Sequence, residues 1–126
     1  MPTMNELSAK VHQTALDKGW YDGGGRTFGE VIALMHSELS EALEDYRNGA
    51  APESTWYEKK SDGKILTSRE PVDETWKPCG IPSELADVVI RVMDACAYYG
   101  IDLDRAIQEK MAYNATRPHR HGGKTI

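Results

Sequence analysis

The stretch PSELADVVIRVMDACAYY, residues 82–99, decides how the chain is read. Leu85, Val88, Val89, Ile90, Val92, Met93, Ala95, Cys96 and Tyr99 cover most of a helical circumference, which predicts a central, buried helix. Pro82 suits a first helical turn, and Gly100 marks the stop. One polar strip interrupts the apolar surface: Glu84, Asp87, Arg91 and Asp94, spaced three, four and three. Acidic groups on an otherwise buried helix are seldom tolerated alone, so the strip must face Lys and Arg from a neighbour, or a metal ion.

Upstream, Thr27-x-x-Glu30 is a capping box that opens a second helix. Phe28, Val31, Ile32, Met35, Leu39, Ala42, Leu43 and Tyr46 carry the helical repeat down to Gly49. At about 100° per residue, Glu38 falls roughly 80° from the middle of that apolar stripe, with Glu41 and Asp45 further round the same flank. Glu30, Glu44 and His36 point to solvent. Residues three apart are neighbours on a helix surface, so Glu38-x-x-Glu41 and Glu84-x-x-Asp87 form two carboxylate couples on consecutive long helices.

The flanking segments complete a four-helix plan. Leu7, Val11, Ala15 and Leu16 predict a first helix over residues 5–20, capped by Thr3 and ended by Gly19 and the Gly23-Gly24-Gly25 run. That triple glycine lacks the Lys-Ser/Thr ending of a phosphate loop and reads as a connection. Asp102 caps a fourth helix through Leu103, Ala106, Ile107, Met111 and Ala112 to about residue 114. Lys110, Asn114 and Arg117 share one face if that helix persists. Between the second and third helices, over residues 50–81, the helical repeat disappears. Trp56-Tyr57 and Lys64-Ile65-Leu66-Thr67 flank Ser61-Asp62-Gly63, which predicts a small β-hairpin acting as a flap or an interface element. The fold class expected is therefore all-α, a four-helix bundle with a long insert, in a single domain over residues 1–126.

A formal net charge of -5 argues against nucleic acid as a partner, although the basic C-terminal segment leaves room for a small anion. The two cysteines, Cys79 and Cys96, fit neither a disulfide framework nor a C-x-x-C site and read as reduced thiols of a cytoplasmic protein. The first fifteen residues alternate polar and apolar, unlike a signal peptide, and no window is apolar enough for a membrane span. His119-x-His121 in the tail reads as solvated rather than as a metal pair.

Carboxylates without nitrogen or sulfur suit Mg²⁺, with Mn²⁺ as a substitute, rather than zinc or iron. Mg²⁺ is commonly completed by substrate phosphates, which directs attention to Lys110, Asn114 and Arg117 as substrate-binding residues. The alternative is that the acids pair with Lys and Arg of adjacent helices. Two couples on core-flanking faces favour the metal.

These residues resemble a known family. The segments HSELSEALEDYRNG, residues 36–49, and GIPSELADVVIRVMDACAYYGIDL, residues 80–103, with the ending KMAYNATRPHRHGGK, residues 110–124, are similar to the MazG-like branch of the all-α nucleoside triphosphate pyrophosphohydrolases. The resemblance implies Mg²⁺-dependent hydrolysis of a (deoxy)nucleoside triphosphate to monophosphate and pyrophosphate. It implies Glu38, Glu41, Glu84 and Asp87 as metal ligands, Glu38 and Glu41 as catalytic, and Lys110, Asn114 and Arg117 on phosphate or sugar. Relatives carry a further Glu where this chain has Ser37, so Asp45 or a metal-site glutamate takes the part of general base; Asp94 supports the site or pairs with Arg91. A homodimer or a dimer of dimers is also implied; Trp20, Trp56, Tyr57 or Trp76 could stack on a base, although aromatics more often fill a core or an interface. Ser37 keeps open a second expectation, a non-catalytic helical module that binds nucleotide without cleaving it.

Overall fold

A computed structural model describes residues 1–119 of the chain. It contains helices α1 (Met4–Asp17), α2 (Phe28–Arg47), α3 (Ile81–Tyr99) and α4 (Leu103–Thr116), and strands β1 (Trp56–Ser61), β2 (Lys64–Ser68) and β3 (Lys77–Cys79). The all-α expectation is thereby corrected. The segment between α2 and α3 folds as a three-stranded antiparallel sheet in the order β2-β1-β3, so the fold is mixed. The expected hairpin is present: β1 pairs with β2 from Tyr57↔Ser68 to Ser61↔Lys64. Asp62 and Gly63 join them with φ of 50° and 75°, the left-handed pair that matches the twist of the strands. The third strand escaped the sequence because it spans only Lys77-Pro78-Cys79 and is defined by pairing with β1, Trp56↔Cys79 to Glu58↔Lys77. Pro78 is tolerated there because β3 is an edge strand, where an amide donor can be missing.

The residues group into two compact units, Tyr21–Val92 and Met1–Trp20 with the chain from Met93 onward. In the first, Thr27 caps α2 by the expected box: its Oγ1 accepts from the Glu30 amide, and its own amide donates to Glu30 Oε1. Gly80 turns β3 into α3 with φ of 107°, and a Cβ there would run into the Ser54 carbonyl oxygen and the Trp56 ring. Ala42, Cys79 and Ile81 are buried in this unit, whereas Leu85, Val89 and Ile90 on α3 are exposed. The expectation of a helix buried around most of its circumference therefore fails for these turns.

In the second unit the N-terminal ends of α1 and α4 are fastened together. Asp104 accepts from the Met4 and Asn5 amides, both at 3.0 Å, while the Asn5 side chain donates to Asp102 at 2.8 Å and accepts from the Leu103 amide at 3.0 Å. The carboxylate satisfies amide groups that the first turn of a helix otherwise leaves unpaired. Asp102 also caps α4 as expected, accepting from the Arg105 amide. Further along, His12 Nδ1 lies 2.7 Å from Asp94 Oδ1, with the Tyr98 ring at 5.8 Å from the imidazole. Ser8, Ala15, Met93, Ala95 and Cys96 are the buried residues of this unit among those described. Among the described residues no helix is long and apolar enough to cross a membrane.

Candidate metal centre and its surroundings

The cluster is built by helical spacing. Glu38 stands on α2, and Glu84 and Asp87 stand three residues apart on α3. One carboxylate oxygen from each of Glu38, Glu84 and Asp87 lies within 4.8 Å of the others. Two consecutive helices thus bring their acids to one point. Glu38 is only 8% exposed. Its Oε1 accepts from Arg91 Nε at 2.7 Å, so part of the pairing with a basic neighbour that the sequence left open is realised here.

Glu41 is exposed on the same flank of α2 and acts electrostatically on Glu84 and Asp87, as its place in the first couple requires. Burial of the Glu84 carboxyl, followed by the Glu41 carboxyl beside it, pushes the Glu84 pKa up to about 7. Asp45 and Asp87 act in the same direction. Asp87 is raised as well, by burial first and Glu38 second, against the lowering pull of Arg91 and Lys77. Glu84 Oε2 is buried without a hydrogen-bond partner among the described residues. Two charged carboxylates are both acceptors, so Glu84 and Glu41 bond to each other only when one proton lies between them. Deprotonated, the site has a buried acceptor looking for a donor or a cation.

This is a donor set that fits a hard divalent cation: oxygen only, from separate helices, with an orphaned buried oxygen and more negative charge than Arg91 balances. Glu38, Glu84 and Asp87 would hold it, and Glu41 adjoins them.

Lys110, Asn114 and Arg117, the expected substrate-binding residues, lie in the other unit. Lys110 Nζ and Arg117 Cζ sit 5.8 Å and 5.7 Å from the Tyr113 ring centre, one from each side in sequence. Helix α4 ends at Thr116, and Arg117 adopts extended backbone, so the shared helical face covers Lys110 and Asn114 alone. Asp94 pairs with His12, and His36 is exposed as expected. The reading of His119-x-His121 and of the basic tail through Arg120 and Lys124 lies outside the described residues.

Sequence reasoning missed Lys77. It sits on β3 and acts electrostatically on Asp87, so the sheet delivers a cation beside the acids. No periodicity flags a lysine in a three-residue strand; the length of the insert and its aromatics Trp56, Tyr57 and Trp76 were the cues that it carried function. Comparisons with protein-family models, curated proteins and solved structures find no match to this chain.

Proposed function

We propose that the chain is a Mg²⁺-dependent hydrolase that cleaves (deoxy)nucleoside triphosphates to the monophosphate and pyrophosphate. The observation that carries this reading is the convergence of Glu38, Glu84 and Asp87 within 4.8 Å from two helices. Support comes from the partnerless Glu84 oxygen, from the absence of nitrogen or sulfur in the cluster, and from the resemblance of Glu38-x-x-Glu41 and Glu84-x-x-Asp87 to the MazG-like pyrophosphohydrolases.

In this reading Glu38, Glu84 and Asp87 hold the cation, which when bound neutralises phosphate charge and polarises the phosphoryl group. A water oxygen forms the new bond to the α-phosphorus, the bridging bond to the β-phosphate breaks, and pyrophosphate leaves. Glu41 takes the water proton, because it is an exposed carboxylate next to Glu84. Asp45, half-buried and close enough to influence Glu84, is the other candidate for this role where relatives use the residue at Ser37. Arg91 keeps Glu38 oriented through its 2.7 Å bond. Phosphate or sugar contacts for Lys110, Asn114 and Arg117, and a homodimer or a dimer of dimers as the working form, are what the resemblance implies. Leu43 and Tyr46 on α2, 56% and 61% exposed, together with Leu85 and Val89 on α3, are the apolar surface such an assembly would cover.

A second reading is favoured by one contact. If the Arg91–Glu38 pair serves in place of a cation, the protein binds nucleotide without cleaving it. Product analysis separates the two: the protein is incubated with a panel of canonical and modified triphosphates, with Mg²⁺ and with chelator. Monophosphate and pyrophosphate formed only with Mg²⁺ support the hydrolase. Diphosphate and phosphate would overturn the cleavage position, and stabilisation by triphosphate without any product would favour the binding module.

A further inference from the structure

The acidic cluster has a neighbouring cavity that no motif marks, lined by one of the four aromatics that could stack on a base. Strands β1 and β3 and one face of α3 line an open cavity of about 560 Å³. That volume lies inside the range of small-molecule sites, about 300–1,000 Å³. Its walls are the Tyr57 ring, Pro78, Pro82 and Ile90, and its charged residues are Lys77 and Asp87. A largely apolar lining that includes an aromatic residue suits a planar heterocycle, which an aromatic side chain holds through its face. Asp87 belongs both to this cavity and to the acidic cluster. A ligand with its anionic end at the cluster therefore has its other end here, and Lys77 lies where that anionic end needs a cation.

We propose that this cavity, made by the sheet inserted between α2 and α3, receives the base of the nucleotide, with Tyr57 against the face of the ring. The proposal rests on the nucleotide reading above and deepens it: the insert, rather than the helices, sets base preference. A flap of flexible chain could not do so. Tyr57 can, because β1 is the central strand, paired at this residue with Ser68 on one side and Pro78 on the other.

The test measures equilibrium binding by the full chain, with Mg²⁺, of two probes. One is the most tightly bound of the four α,β-methylene deoxynucleoside triphosphates, which resist cleavage at the bond in question. The other is inorganic tripolyphosphate, which has the charge and no base. Tyr57→Ala removes the stacking face, and Ile90→Trp fills the cavity from a partly exposed position on α3. Both variants are expected to weaken nucleotide binding by about tenfold or more and to leave tripolyphosphate binding within twofold. Folding is checked by far-ultraviolet circular dichroism, and a failure of one variant to fold leaves the other to decide. Unchanged nucleotide affinity in a folded variant, or equal weakening of both probes, overturns the base site while the hydrolase reading stands. Wild-type protein that binds neither probe overturns that reading, and the base site with it.

Discussion

Replacing Glu84 by Gln should stabilise the protein at the expense of its metal site. The ordinary glutamate pKa of 4.5 rises to about 7 in the fold because the carboxyl is half-buried and faces Glu41. That difference corresponds to about 3.4 kcal/mol against the charged form. Water reaching the site and the proton shared with Glu41 reduce it, so an effect of about 1–3 kcal/mol is expected. The folded protein holds the Glu84 proton more tightly than the unfolded chain does. This contribution to stability is therefore complete below pH 4.5 and is lost as the pH rises through about 7. Gln keeps the shape and never charges. Glu84→Gln should accordingly be more stable than wild type by about 1–3 kcal/mol at pH 8, raising the melting temperature by several degrees, and should show little difference near pH 4.5. Urea unfolding at the two pH values reads this directly. In the same assay 10 mM Mg²⁺ should stabilise the wild type at pH 8 and the variant far less. A variant less stable than wild type at pH 8 would refute the claim that the charged Glu84 is a cost the fold carries.

Further expectations follow from other contacts. Glu41→Gln and Asp87→Asn should each lower turnover by about 100-fold or more while the circular dichroism spectrum is retained; full activity in either would sink its assigned role. Stabilisation of the wild type by Mg²⁺ should weaken as the pH falls below about 7, since the proton on Glu84 then competes with the ion, and a pH-independent effect would exclude Glu84 as a ligand. Gly80→Ala forces an L side chain into φ of 107° against the Ser54 carbonyl, and should cost about 2–4 kcal/mol in denaturant unfolding; a loss under 1 kcal/mol would mean the strand junction relaxes freely. Asp104→Ala removes the acceptor of the Met4 and Asn5 amides, so the exchange of both with solvent should quicken at least tenfold, and unchanged rates would show that this fastening is redundant.

What could be read from the sequence was local. The Thr27–Glu30 box and the Asp102 cap are fixed by residues three apart, and both recur in the fold. The Asp62-Gly63 turn announced the hairpin for the same reason. Helical spacing also sufficed to aim Glu38, Glu84 and Asp87 towards a common point. Contacts distant along the chain were not legible. Strand β3 has no pattern of its own, the Asn5–Asp102 and Asp104 contacts join residues about a hundred positions apart, and Lys77 gains its meaning from Asp87 on another element. For Asp94 the sequence offered a supporting part in the site or a pairing with Arg91; Asp94 instead meets His12, and the Arg91 guanidinium bonds Glu38.

Cys79 turns the cavity into something that can be timed. Its thiol lines that space, is buried, and is held above the ordinary thiol range chiefly by burial and then by Glu58. Little thiolate is present at neutral pH, so alkylation should be slow and governed by how often the wall opens. Cys96, also raised by burial, is the only other thiol and belongs to the other unit. Mass spectrometry on one sample can therefore follow both at once, with Cys96 as the internal clock against which slowing at Cys79 by any candidate ligand is read.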